Sequence, residues 1–356
     1  MYVTLAEPSR GRRRWPWLSR PLRWLAGGTG AFLRVLLIAW FSLAIYYSPL
    51  PWRWLRLSLS LAFLAFACWA WWWKRRPRVS LAFAAVCLVV FALWTRIEPS
   101  HDRPWRPEVA VMPRAFIDGD RVRITGVRDF EYRSRNDFTE RFEEREVSPS
   151  HLIGLDFYVS FFTAGPVGHT FVSFIFDDAP PLSISIETRP EVGEGFQPIA
   201  SLFKQFELIY LVGSERDLVG VRTNHRKEEV FLYRVQMSSE AARRLFLVYL
   251  ERINELADQP EFYHLLTNSC TINIIRYANA AGRGGRFDIR HLLNGLIDAY
   301  LYSAGWLDTT LPFDELRRRS RINDAAQAAG DEPDFSERIR VGLPGMPAAA
   351  VAPPGA

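Results

Sequence analysis

The chain of 356 residues carries a formal net charge of +5, with 49% hydrophobic residues, 13 tryptophans and three cysteines, long enough for membrane segments plus one full domain. Residues 1–96 hold 14 Lys+Arg against one acid, a net +13, and residues 97–356 hold 30 against 38, a net −8. The basic balance belongs to the N-terminal part, and the remainder would repel a phosphate backbone, which excludes nucleic acid as a partner.

A basic arm spans residues 1–30. Residues 31–96 are read as three transmembrane helices, with apolar runs at roughly 31–47, 57–73 and 79–95. Each run is close to the length needed to cross a bilayer. Trp24, Trp52, Trp54, Trp71, Trp72, Trp73 and Trp94 flank them as an interfacial aromatic belt would. A cleaved signal peptide is not expected, because further apolar segments follow and no small-residue cleavage site is evident. The arm has Arg10, Arg12, Arg13, Arg14, Arg20 and Arg23, and the second loop has Lys74, Arg75, Arg76 and Arg78; the first loop has only Arg53 and Arg56. The positive-inside rule therefore predicts a cytoplasmic N-terminus, and three crossings predict a C-terminal domain on the far side, the periplasm of a bacterium.

Residues 97–120 read as a linker, Pro-rich over 99–113. A domain is expected over 121–322, and a disordered, Pro/Ala-rich tail over 323–356. Strands are predicted at 121–125, running on through 127–132, and at 153–162, 169–176, 182–187, 206–212 and 229–235. The charged stretch 137–146 reads as a solvated turn or a short helix. Asp177-Asp178-Ala179-Pro180-Pro181 marks a hairpin turn. Helices are predicted from Ser238, with an N-cap serine, to about Leu256 and from Cys270 to about Ala281, and an amphipathic stretch over 289–301 is expected to pack on the core. Strands followed by helices give an α+β domain with an antiparallel sheet and packed helices.

Cys270 is the only cysteine outside the apolar runs, so the exported part has no partner for a disulfide. A thiol opening a helix is a candidate nucleophile, because the helix N-terminus favours the thiolate. Thr267, Asn268 or Ser269 can cap that helix, and the Cys270 N–H can serve an oxyanion. His169, after Gly168 and at the start of a strand, is the candidate base. Glu187 on the next strand is the candidate orienting carboxylate, with Ser183 or Ser185 as alternatives. Asn268, His264 and Arg189 are candidates for the oxyanion or the substrate. No ligand spacing predicts a metal, and no cofactor is expected.

The motifs Val127-Arg128-Asp129-Phe130, Gly168-His169-Thr170-Phe171, Ser185-Ile186-Glu187-Thr188-Arg189, Glu215-Arg216-Asp217, Arg222-Thr223 and Thr267-Asn268-Ser269-Cys270-Thr271 occur in order. Over about residues 121–281 the chain resembles the DUF4105 family, also called the Lnb N-terminal periplasmic domain. Histidine on an early strand and Asn-x-Cys at a later helix start also resemble the circularly permuted NlpC/P60 papain-like thiol enzymes. The resemblance implies a permuted papain-like fold with Cys270 as nucleophile and His169 as base. It further implies an acyl-enzyme route in the inner membrane, from a phospholipid donor to a lipoprotein α-amine or to water. In the lipoprotein acyltransferase of this family the soluble domain precedes the membrane helices; here three helices precede the domain. A cysteine peptidase or amidase acting on peptidoglycan peptides, and a catalytically inactive membrane scaffold, are the alternatives. Oligomeric state is left open.

Overall fold

The computed structural model describes residues 16–73, 76–163, 165–195, 197–282, 284–285 and 287–346, with the backbone alone for 16–27 and 72. The expected arginines at 10 and 12–14, the basic pair 74–75 and the last ten residues lie outside the described residues. The chain divides into two compact units, one up to Glu98 and one from Pro99.

The first unit is three helices, α1 (Pro16–Tyr46), α2 (Arg53–Trp72) and α3 (Pro77–Thr95). α1 begins within the stretch read as an arm. Pro49 and Pro51 part α1 from α2, and Pro77 opens α3, where its missing N–H costs nothing. Gly28–Tyr46, Arg53–Trp71 and Pro77–Thr95 are each 19 residues and apolar enough to cross a membrane. Phe41, Phe63, Ala67 and Cys87 pack together inside, while Leu81, Leu88 and Leu93 are left outward. The Ser60 hydroxyl donates to the Ser42 carbonyl at 2.8 Å, which satisfies a polar group between apolar helices.

The second unit is built on β1 (Arg114–Asp118), β2 (Arg121–Arg128), β3 (Glu131–Tyr132), β4 (Phe138–Thr139), β5 (Phe142–Val147), β6 (Leu152–Phe161), β7 (His169–Phe176), β8 (Leu182–Arg189), β9 (Glu207–Gly213) and β10 (Glu229–Arg234). Its helices are α4 (Glu215–Leu218), α5 (Ser239–Asp258), α6 (Cys270–Ala280), α7 (Ile297–Ser303), α8 (Phe313–Arg319), α9 (Asn323–Ala329) and α10 (Phe335–Arg338). The main sheet runs β1-β2-β9-β8-β7-β6-β10, with β5 also on β2. It is mixed, where an all-antiparallel sheet was expected: β2 meets β9 in parallel at Arg128↔Gly213. A Cβ on Gly213 would stand 2.6 Å from the Arg128 carbonyl oxygen, so this seam closes only on glycine.

Helices cover both faces of the sheet. Val172, Phe174, Ile184 and Ile186 pack in one core with Phe246, Tyr249 and Ile253 of α5 and Ile274 of α6. Tyr158, Phe171, Val230 and Leu232 point the other way, onto Ala326, Ala329, Phe335 and Ile339. Residues 323–339, expected as disordered tail, are therefore folded. They cover a sheet face that would otherwise expose four large side chains to water. Arg340 fixes this cover: its guanidinium lies 2.8 Å from Asp156 and 2.6 Å from Glu215, and both acids are fully buried.

Two further expectations change. The charged stretch 137–146 forms β4 and β5, because paired strands can carry alternating charges on their outer face. The expected linker is part of the fold. Residues 114–118 form β1, and the stretch before it is strapped down. Ser100 N–H donates to Glu207 at 3.2 Å, Arg103 pairs with both Glu191 and Glu207 at 3.0 Å, and Trp105 lies under the Arg189 guanidinium at 4.3 Å. Burial pushes the Glu207 carboxyl up to about 7 against the pull of Arg103.

Candidate functional site

β7 and β8 pair only as far as Phe171↔Ser185. Continuing that register would set His169 opposite Glu187, at the point where the strands part. Each strand keeps its other neighbour there, through Ser160↔His169 on β6 and Glu187↔Ile209 on β9. The end of the sheet is thus held open between two strands that are firmly seated.

His169, Ser185 and Glu187 share the face of this opening. His169 Nε2 lies 2.7 Å from the Ser185 hydroxyl, which donates to Glu187 Oε1 at 2.8 Å; the direct distance from Nε2 to Oε1 is 3.6 Å. The carboxylate therefore acts on the ring mostly through the serine, which joins two of the sequence candidates in one relay. Arg222 binds Glu187 from behind and sits 4.6 Å over the Phe171 ring. Burial alone would raise the Glu187 pKa, but Arg222, then His169 and Arg226, with the Ser185 hydroxyl, hold it well below the usual carboxylate range. Arg222 comes from a single π-helical turn, Val221–His225, a geometry that recurs at functional sites.

Cys270 opens α6 and is 1% exposed. Burial pushes its thiol up. The charge and hydrogen bond of His169, with the amide and hydroxyl of Thr170, outweigh that and bring it down to about 6. Since Nε2 is engaged by Ser185, Nδ1 is the ring nitrogen left for the thiol. The hydroxyls of Thr170 and Thr271 meet at 2.9 Å and pin the start of β7 to the start of α6. Gly168 allows the close approach expected of it, since a Cβ there would lie 2.8 Å from the Ser160 carbonyl oxygen.

Two neighbours of the thiol were not anticipated as site residues. Asn294 accepts the Gly168 N–H at 2.9 Å and donates to the Gly168 carbonyl at 2.6 Å, and the same amide nitrogen stands 3.8 Å from the Cys270 sulfur. It lies 24 residues after the cysteine, inside the stretch 289–301 read only as amphipathic packing, where the chain makes the short turns Ile289–His291 and Asn294–Leu296; no motif in the sequence marks it. Tyr263 is buried with its hydroxyl against both the thiol and the Cys270 amide.

The other candidates are engaged elsewhere. Ser269 takes the N-cap position, but its hydroxyl makes no capping bond. The Asn268 amide donates to the Phe262 carbonyl at 2.9 Å and to Glu261 at 3.0 Å, and its oxygen accepts from Asn273 at 3.0 Å, so it shapes the loop before α6. His264 Nδ1 meets the Thr267 hydroxyl at 3.0 Å within the same turn. Arg189 donates to the carbonyls of Val109 at 2.9 Å and Ala110 at 2.7 Å, and so holds the strap. Ser183 pairs with Ser173 at 2.7 Å, deeper in the sheet than His169.

Fold and site together define an α+β domain with a thiol–imidazole pair at the open end of a mixed sheet. Residues 138–295 match the family described as the Lnb N-terminal periplasmic domain. The match encloses His169, Ser185, Glu187, Arg222, Tyr263, Cys270 and Asn294. Comparison with curated proteins and with solved structures found no match.

Proposed function

We propose that this protein is a membrane-anchored cysteine acyltransferase or acyl hydrolase whose domain lies on the periplasmic side of a bacterial inner membrane and acts on lipid or lipoprotein substrates. The observation that carries the reading is the depressed Cys270 thiol beside His169, in a domain that matches a periplasmic family and follows three membrane-length helices. The order of histidine strand, then cysteine helix, supports a permuted papain-like arrangement. The excess of arginine in the arm and second loop supports a cytoplasmic N-terminus.

The Cys270 thiolate attacks the ester carbonyl of a phospholipid, and the tetrahedral oxyanion draws on the Cys270 amide and the Tyr263 hydroxyl. Collapse breaks the ester C–O bond. The His169 imidazolium gives its proton to the departing alkoxide, leaving a thioester on Cys270 and a lysophospholipid. An acceptor amine or water then attacks the thioester, His169 takes its proton, and the thiolate is released. Glu187, through Ser185, keeps the ring oriented and favours the imidazolium.

The test is intact-mass spectrometry of the detergent-solubilised full chain after incubation with phospholipid, beside Cys270→Ser and His169→Ala. A fatty-acyl mass on wild type, released by hydroxylamine and missing from Cys270→Ser, is the expected result. A thiol that iodoacetamide labels quickly but that never carries an acyl mass would overturn the lipid reading in favour of a peptidase. An inert thiol would leave a scaffold.

A further inference from the structure

Cys270 is 1% exposed, yet the segments that close over it are edged with exposed apolar side chains. Phe162 and Val167 stand in the β6–β7 connection immediately before Gly168, at 51% and 49% exposure. Phe287, Ile289 and Leu296 stand in the stretch that contains Asn294, at 70%, 58% and 37%. The two segments are joined where they meet: Gly295 N–H donates to the Pro166 carbonyl at 2.9 Å, and Asn294 grips the Gly168 backbone from both sides. They form one apolar lip beside the thiol.

From this lip we infer that the domain seats on a lipid surface, with Phe162, Val167, Phe287, Ile289 and Leu296 in the headgroup–acyl boundary. A soluble domain seldom leaves several large apolar residues uncovered on one rim without an occupant. The described residues of the lip carry no net charge. Its acid, Asp288, is held by Arg290 through bonds of 2.9 and 2.8 Å, so no free carboxylate repels the headgroups. Chain continuity supplies the occupant: the strap at Pro99 follows directly on a helix of membrane length, which keeps a bilayer at high effective concentration. The inference rests on the proposed lipid chemistry for its purpose, since seating would bring an acyl ester to the buried thiol. Its test does not depend on turnover.

The full chain is placed in nanodiscs of phosphatidylethanolamine and phosphatidylglycerol that contain a phospholipid with a diazirine in its acyl chain. After illumination, the modified peptides are mapped by mass spectrometry. Lipid adducts on 162–167 and 287–296 are expected, with those on 28–95 as internal standard. Replacing Phe287→Ser together with Ile289→Ser removes two apolar anchors and should lower the lip adducts by about tenfold or more relative to the helices. Adducts confined to 28–95, or lip peptides joined to the lip of a second copy, would overturn the inference. Lip adducts with no thioester on Cys270 would retain the seating and remove the acyl-transfer reading; a thioester without lip adducts would do the reverse.

Discussion

At the scale of single residues, the chemistry turns on how His169 changes one thiol. An ordinary cysteine would be almost wholly protonated at neutral pH, whereas Cys270 at about 6 is mostly thiolate. Because the folded value is depressed, its contribution to stability is fully present above the ordinary thiol range and is lost as pH falls through about 6. The rate of iodoacetamide alkylation of the Cys270 peptide should rise with pH to a midpoint near 6 and then level off. In His169→Ala, burial is left with less to oppose it. The midpoint should move up by about two units or more, cutting the thiolate at pH 7 by roughly tenfold to a hundredfold. An unchanged midpoint would mean that Thr170 and the helix start, not the imidazole, set the thiol. Cys270 and His169 were legible as a pair in the sequence because each announces itself locally, one at a helix start and one after a glycine at a strand start. Asn294 and Tyr263 were not, since their nearness to the sulfur arises only when distant segments close on it.

At the scale of elements, strands β6, β7 and β8 and helices α5 and α6 could be read from periodicity and caps, and the hairpin turn at 177–181 gave their order. Period-2 geometry put Ser185 and Glu187 on one face as alternative partners of His169; that the two act in series was not readable. α9 and α10 were not readable. Each is short, and their apolar residues Ala326, Ala329, Phe335 and Ile339 have meaning only against the second face of the sheet. The anchor of this cover is Arg340, whose removal leaves Asp156 with Arg234 as its charged partner and Glu215 with the neutral Tyr158 and Ser173 hydroxyls. Arg340→Ala should therefore destabilise the domain by about 3–5 kcal/mol, the cost of breaking a buried ion pair. Urea unfolding followed by the domain's own signal in detergent checks this. A loss below about 1 kcal/mol would show that the C-terminal cover is not needed to hold the charges.

At the scale of the whole molecule, the two units have opposite charge, and the arginines fall on the loops that the positive-inside rule counts. Alkaline phosphatase fused at the C-terminus should be active, and a fluorescent protein fused at the N-terminus should be bright. Reversal of both signals would place the thiol in the cytoplasm and withdraw the periplasmic reading.

The sequence by itself determined the membrane-length helices, the charge division, most strands and the thiol–histidine pairing, because these depend on composition, local periodicity and neighbouring residues. Only the tertiary structure decided that the linker is a strap, that the tail is a cover and that Glu187 reaches His169 through Ser185. It alone revealed Asn294 and Tyr263 at the sulfur. Those features depend on which buried polar groups find partners across long stretches of chain, and no local pattern encodes that.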